Sequence, residues 1–244
     1  DVYRPLYINE TPMVHTTVET AEMIKYAANA FLAIKISYIN EVANLCDEIG
    51  ADVHVVAKTL GMDGRISPKF LHPGPGFGGS CFPKDTKALV EIAKNYKIDM
   101  TVVTAAIEAN NFQRKRMLYK LNELLDNNLK GKVIAILGLA FKQETDDVRE
   151  SPAIDIISGI HDKGGIIKAY DPIANDSMKE IFPALDFKSN WHKAVEGSDA
   201  AVIMTEWNEF RGMDLEKLKN FSFTPFFFFS TKNFFFLQNL FIFF

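Results

Sequence analysis

From Val18 to Ile49 the apolar positions recur at helical spacing, and Gly50 closes the run. The middle of that segment, YAANAFLAIKISYINEVANL, is apolar around most of its circumference, which predicts a buried helix. Lys25 and Asn29 stand out against it; four residues apart, they project from one face. Asp52 to Leu60 reads as a second short helix stopped by Gly61. Residues 62–80 then break the periodicity. They are too long and too rich in Pro and Gly for a casual connection, and loops of that length are commonly functional. Helical spacing resumes from Cys81 to about Ile98. It returns from Thr101 to Asn128, small and apolar in its first half, charged in its second.

After Lys130-Gly131 the pattern changes. Residues 132–141, KVIAILGLAF, form a β-branched apolar run that predicts a buried strand. Residues 153–165 read as helix, 166–172 as a second strand, 176–182 and 191–197 as short helices, and 200–205 as a third strand. Alternation at this spacing predicts a parallel, Rossmann-like sheet, with ligands at the C-terminal ends of its strands. The first strand runs into Gly138-Leu139-Ala140-Phe141-Lys142 rather than a glycine fingerprint, so this is not a standard dinucleotide unit. Asp171 follows the second strand where a ribose-binding acid would stand, although Tyr-Asp-Pro is equally a strand stop. The expected fold is α/β. A linker or arm covers 1–17, and a helical domain with a long connecting helix covers 18–129. A Rossmann-like domain covers 130–220, and an aberrant tail 221–244. That tail holds twelve of the 21 phenylalanines and one charge, Lys232, and no helical or strand period survives in it. It is expected to be aggregation-prone.

Composition narrows the function classes. With 244 residues and a net charge of −4, the chain carries no nucleic-acid footprint. Cys46 and Cys81 lie in unrelated patterns, which is no disulfide framework and fits a reducing, cytoplasmic setting. Asp1 to Pro12 lacks the apolar core of a signal peptide, and a first residue other than Met suggests a fragment. Polar interruptions in the tail argue against a membrane span. No metal site is expected.

The candidate chemistry concentrates in residues 71–89, LHPGPGFGGSCFPKDTKAL. Pro73 and Pro75 stiffen the approach; Gly74, Gly76, Gly78 and Gly79 let the backbone turn or come close to a ligand. Ser80 is the expected N-cap and Pro83 suits a first turn. Cys81 then stands at a helix N-terminus, where the macrodipole favours thiolate. Asp85 lies one turn on. The pattern fits a nucleophile with a carboxylate neighbour, or a glycine-rich loop before an ordinary helix with an inert cysteine.

GFGGSCFPKD resembles the active-site signature of the UDP-glucose/GDP-mannose dehydrogenase family, and KFLHPGP is most similar to its UDP-glucose 6-dehydrogenase branch. KYAAN, GLAFK and DDVRESP extend the resemblance across much of residues 5–215. It implies oxidation of the C6 alcohol of UDP-glucose to a carboxylate with two NAD⁺. The alternatives are another nucleotide sugar, UDP-N-acetylmannosamine or GDP-mannose, or a non-catalytic fragment that keeps UDP-sugar binding and dimerisation. By resemblance Cys81 is the nucleophile, Lys25 and Asn29 polarise the reacting oxygen, and Asp85 handles water or a proton. Arg65 reaches the substrate, in the neighbouring subunit of a homodimer, and Leu71, His72, Pro73, Gly74, Pro75, Gly76, Phe77 and Gly78 wrap it. Phe141 and Lys142 hold the uridine part; Cys81, Lys84 and Arg149 meet NAD. The long helix 101–128 contributes to the dimer core. The family has a strand in the tail ending near an Arg-Asn pair, where this chain has Lys232-Asn233. An N-terminal NAD-binding domain with its GxGxxG precedes this stretch in the family, and no GxGxxG is expected anywhere in these residues. The chain is therefore expected to hold the central and C-terminal domains alone, with no nucleic-acid or membrane partner.

Overall fold

The computed structural model describes residues 13–213, together with the backbone of 227–230, 234–237 and 240–243. Lys232, Asn233 and most of the expected N-terminal arm lie outside the described residues. Helix α1 runs Val18–Ile49, as the periodicity predicts. Thr17 caps it through its side chain, and Gly50, at φ 71°, closes it with an N–H to the Cys46 carbonyl. Asp52 caps α2 (Val53–Met62) by accepting from His54 and Val55. Gly61 does not stop this helix but lies inside it. A Cβ there would stand 2.7 Å from the Pro68 Cα, so glycine is required by the loop crossing over it.

Helix α3 spans Phe82–Asn95 and α4 spans Thr101–Leu124. Asp126 and Asn127 take left-handed backbone conformations (φ 55° and 57°), which ends α4 short of the expected residue 128. α1 packs against both α3 and α4. Its buried side places Ile39, Ala43 and Cys46 against Val53 and Ala57 of α2 and against Leu71; further along, Ala30 meets Leu89 and Val103. The prediction of a buried helix from the middle of α1 is corrected: Phe31, Tyr38 and Leu45 are exposed, as is Ile24 before them. The helix has two apolar faces, and the described residues cover one of them.

The C-terminal half is a parallel sheet with strand order β3-β2-β1-β4-β5. Strands β1 (Val133–Leu137), β2 (Ile166–Tyr170) and β4 (Ala200–Ile203) are the three expected from the sequence. The first is shorter than its apolar run, because Gly138 onward is loop. Four further strands carry no period in the sequence. β3 is the two-residue Asp186–Phe187. β5, Phe227–Ser230, pairs parallel to β4 inside the stretch read as periodless, and β6 (Phe234–Leu237) and β7 (Leu240–Phe243) form an antiparallel pair later in the same stretch. Helices α5 (Pro152–Asp162), α6 (Asn175–Ile181), α7 (Trp191–Val195) and α8 (Asn208–Arg211) connect the strands.

β1 is buried on both faces, and its alternation divides the core. Ile134 and Ile136 join the layer holding Ile156, Ile157 and Ile160 of α5. Ala135 and Leu137 face Ala194 and Val195 of α7, with Trp207 and Phe210. Met117 and Leu121 of α4 belong to the first of these layers, while Val103 belongs to the helical half. α4 is thus rooted in both halves, as the expected connecting helix should be. No helix among the described residues is long and apolar enough to cross a membrane.

Candidate active site

The 71–79 loop is held from behind by a row of side chains on α4 and α1. Asn110 accepts from the Phe77 N–H (2.7 Å) and donates to the Phe77 carbonyl (3.1 Å). Gly74 is held the same way by two residues: Asn40 accepts from its N–H at 2.7 Å, and Gln113 donates to its carbonyl at 2.8 Å. Asn40, Asn110 and Gln113 are buried, so these bonds form in place of water and carry the full cost of being lost. None of the three was singled out from the sequence. Their signal was polar residues on an otherwise apolar helix face, Asn110 and Gln113 three apart on α4. Lys35 was missed as well. Its ammonium donates to the carbonyls of Ile66 (2.9 Å), Ser67 and Lys69, gripping the preceding segment. Gly74 to Gly79 spell the letters GxGxxG, which corrects the expectation that none occurs, but the loop follows no strand, so the context that gives that motif its meaning is missing.

The loop ends on Cys81, which takes the N-cap position of α3, without a side-chain cap; Ser80 is not the cap. Cys81 is exposed and free, whereas Cys46 is buried and free. One turn on, Asp85 is fully buried and its N–H bonds the Cys81 carbonyl at 2.8 Å. Lys25 and Asn29 of α1 both donate to the same oxygen, Asp85 Oδ2, each at 2.6 Å. The Lys84 ammonium lies 3.2 Å from the other oxygen, Oδ1. Burial by itself pushes the Asp85 carboxyl up, but donation from Lys25, Asn29 and Lys84 outweighs it and holds the group below the usual carboxylate range. The hydrogen bond to Asp85 raises the Lys25 pKa in turn. The cluster therefore keeps a carboxylate and an ammonium in place across neutral pH.

Beside Cys81, Phe82 enters the wall of a cavity of about 410 Å³, within the range of small-molecule sites. His72, Gly74, Pro75, Gly76, Phe77 and Gly78 line one side, with Ile36 and Phe70. The opposite side comes from the loop after β1 (Phe141, Lys142, Gln143), the start of α5 (Ser151, Pro152) and the loop after β4 (Thr205, Glu206). β1 and β4 are adjacent while the chain reverses direction through the sheet order there, which is where open α/β sheets bind ligands. Two buried side chains fix the sheet-side loops. Asp171 accepts from the backbone of Leu139, Ala140, Ile173 and Ala174 and from the Trp207 indole. Ser151 caps α5 and donates to the Leu139 carbonyl at 2.8 Å. Asp171 is thus a buried loop tie and not a ribose acid, since five donors already occupy it.

The remaining candidates fall outside the cavity lining. Leu71 is packed in the α1–α2 core and Pro73 is buried. Arg65 is exposed and pairs with Asp63 at 2.5 Å. Arg149 is exposed and pairs with Asp147 at 2.7 Å, and that hydrogen bond raises its pKa. Among the described residues no group of His, Cys, Asp or Glu could hold a metal ion.

A sequence model of the UDP-glucose/GDP-mannose dehydrogenase family's central domain matches residues 19–112, and one of its UDP binding domain matches residues 135–236. The second match runs through β5 into the phenylalanine-rich stretch. A UDP-glucose 6-dehydrogenase of Rhizobium meliloti (strain 1021) is 46% identical over 225 residues, 92% of this chain and 52% of the relative. A UDP-glucose dehydrogenase structure from Pyrobaculum islandicum superposes with a TM-score of 0.86 at 29% identity, over 98% of this chain and 52% of that one. A UDP-D-ManNAc dehydrogenase from Pyrococcus horikoshii gives 0.78 at 28% identity, over 95% and 53%. The chain spans about half the length of the relatives it matches. Matched across both domains, with the signature cysteine at the head of α3 and the cavity between loop and sheet, the chain belongs to the UDP-glucose/GDP-mannose dehydrogenase family.

Proposed function

We propose that this chain supplies the nucleophile, the oxygen-holding donors and the nucleotide-sugar pocket of an NAD-dependent UDP-glucose 6-dehydrogenase. The observation that carries the reading is the convergence of Lys25 and Asn29 on one oxygen of buried Asp85, one turn from exposed Cys81. The Lys25 ammonium has three donors and the Asn29 amide two, so each keeps a hydrogen for a second acceptor after bonding Asp85. Those hydrogens serve the C6 oxygen of the sugar. When the Cys81 thiolate adds to a C6 aldehyde, a carbon–sulfur bond forms and the carbonyl pair moves to oxygen, where Lys25 and Asn29 hold it. Loss of hydride from C6 leaves a thioester; water then adds, the carbon–sulfur bond breaks, and the carboxylate departs with the thiolate restored. Asp85 keeps both donors aimed and takes part in handling the water proton.

Bound NAD⁺ supplies the hydride acceptor for each two-electron oxidation. Lys84 and Arg149 fit that group: both are exposed cations at the Cys81 end of the site, suited to a pyrophosphate. The GLAFK loop, with Phe141 and Lys142 on the cavity wall, fits a uridine diphosphate, and the 72–78 loop fits the sugar. A free thiol at the surface is in keeping with a reducing, cytoplasmic setting. A homodimer is part of the reading, for which the exposed apolar stripe of α1 is the support.

Thermal denaturation with sugar nucleotides is the test. UDP-glucose is expected to raise the Tm, UDP-N-acetylmannosamine and GDP-mannose to raise it less, and Lys142→Ala to abolish the shift. No shift with any of the three sinks the reading. NADH formation from UDP-glucose separates an active enzyme from a binding fragment, and Cys81→Ala must stop the second oxidation.

A further inference from the structure

Where the helical half meets the sheet half, one guanidinium spans the seam. Arg114 follows Gln113 on α4 and its side chain is only 10% exposed. Its Nη2 donates to the carbonyls of Phe77 and Glu150, both at 2.7 Å, and its Nη1 donates to Asp155 Oδ2 at 2.7 Å. Phe77 belongs to the loop walling the cavity on the helical side. Glu150 directly precedes Ser151 and Pro152, which wall it on the sheet side. Glu150 has φ 51°, a left-handed conformation that costs energy in a residue with a side chain. Its carbonyl stands so close to the loop that a Cβ on Gly78 would lie 2.2 Å from the oxygen. The Gly79 N–H bonds the carbonyl one residue earlier, Arg149 O, at 2.9 Å. Loop and turn thus meet at two successive carbonyls, and Arg114 holds one of them while also holding the loop. A planar fork places its donors on two separate nitrogens and so reaches acceptors on both sides of the seam; a lysine's three hydrogens radiate from one atom and suit acceptors clustered around a single point, as at Lys35.

We propose that Arg114 is a positioning residue that fixes the gap between the two walls of the cavity. It thereby sets the affinity for a ligand that spans both walls, a nucleoside diphosphate sugar, more than for one resting on the sheet wall alone. The affinity part rests on the UDP-sugar reading above; the seam itself does not. Hydrogen exchange followed by mass spectrometry on the whole chain tests the seam without ligand. In Arg114→Lys, amides in 74–80 and 148–153 are expected to exchange about tenfold faster or more, while those of α1 and β1 stay unchanged. Arg116→Lys, whose guanidinium pairs with Glu48 instead, is the control and should leave both segments as they are. Calorimetric titration then reads the ligand effect. UDP-glucose should bind about tenfold more weakly to Arg114→Lys, the loss expected for a charged hydrogen bond, and UMP less than about threefold. Asp155→Ala, which frees only the Nη1 arm, should give an intermediate effect and serves if the lysine variant fails to fold. Unchanged exchange, faster exchange spread over the whole chain, or equal losses for both ligands would overturn the proposal. If the parent chain binds neither ligand, the UDP-sugar reading fails and takes the affinity claim with it; the exchange result identifies that case separately.

Discussion

Cys81 and Cys46 differ first in access, and access alone makes Cys81 the faster to alkylate. A comparison of the two therefore does not measure activation. The charge around Cys81 does, because its sign can be changed. Lys25→Met should slow iodoacetamide alkylation of Cys81 at pH 7.5 by roughly two- to tenfold, as a neighbouring ammonium is lost. An unchanged rate would leave the thiol exposed but not activated. Asp85 gives a second test through pH. Its carboxyl is held below its ordinary value in the folded chain, so the stabilisation it brings is present above the unfolded pKa, about 4, and is lost as pH falls through the folded value. The Lys25 side of the pair is raised, so its part is present below the unfolded lysine pKa, about 10.4, and is lost as pH rises past the folded one. Asp85→Asn should accordingly lower the Tm by about 5 °C between pH 6 and 9, with the gap closing in stronger acid. A gap independent of pH down to about 2 would mean that the pair does not hold the site.

At the scale of elements, the helices and inner strands were legible because their apolar periods are long and their caps are local: Thr17 with Gly50, Asp52, Ser151. Where the reading failed, the deciding partner was distant in sequence. Gly61 looked like a stop because nothing local says that Pro68 folds back over it. Two-residue β3 has no period to detect, and β5 is defined by its pairing with β4. The site divides the same way. Cys81, Asp85, Lys25 and Asn29 were readable by spacing and resemblance, and the structure gathers the last three on one carboxylate. Asn40, Asn110 and Gln113 were not, since their role appears only once the loop lies across α1 and α4. The loop's own glycines carry a sharper expectation. At Gly78 a methyl group meets backbone, the Glu150 carbonyl, which cannot swing aside as a side chain would. Gly78→Ala should cost about 1–3 kcal/mol and weaken UDP-glucose binding. Gly64→Ala, with open space around its Cβ, should stay within about 0.5 kcal/mol by denaturant titration. Equal stability of the two variants would mean that the seam yields freely.

At the scale of the whole molecule, the outer face of α1 is an apolar surface that the described residues leave uncovered. Ile24, Phe31, Tyr38 and Leu45 recur every seven residues along a helix of 32, and each is more than half exposed. α4 adds Phe112 and Tyr119, again seven apart and exposed. A heptad period keeps a stripe on one side of a helix, and side chains of this size left in water represent about 1.5–3 kcal/mol each if covered. Such a stripe suits packing against another helix, and in the proposed homodimer a second copy would present the same stripe about a two-fold axis. Two glutamates on the stripe would then be buried against each other in the assembly, a far greater penalty than exposing them on a monomer. Phe31→Glu/Tyr38→Glu is expected to leave the helix content unchanged by circular dichroism and to halve the mass in sedimentation equilibrium at about 10 µM. A parent chain that sediments as a monomer at that concentration, or a double variant that stays dimeric, would remove α1 from the dimer core and leave its outer face to some other part of the assembly.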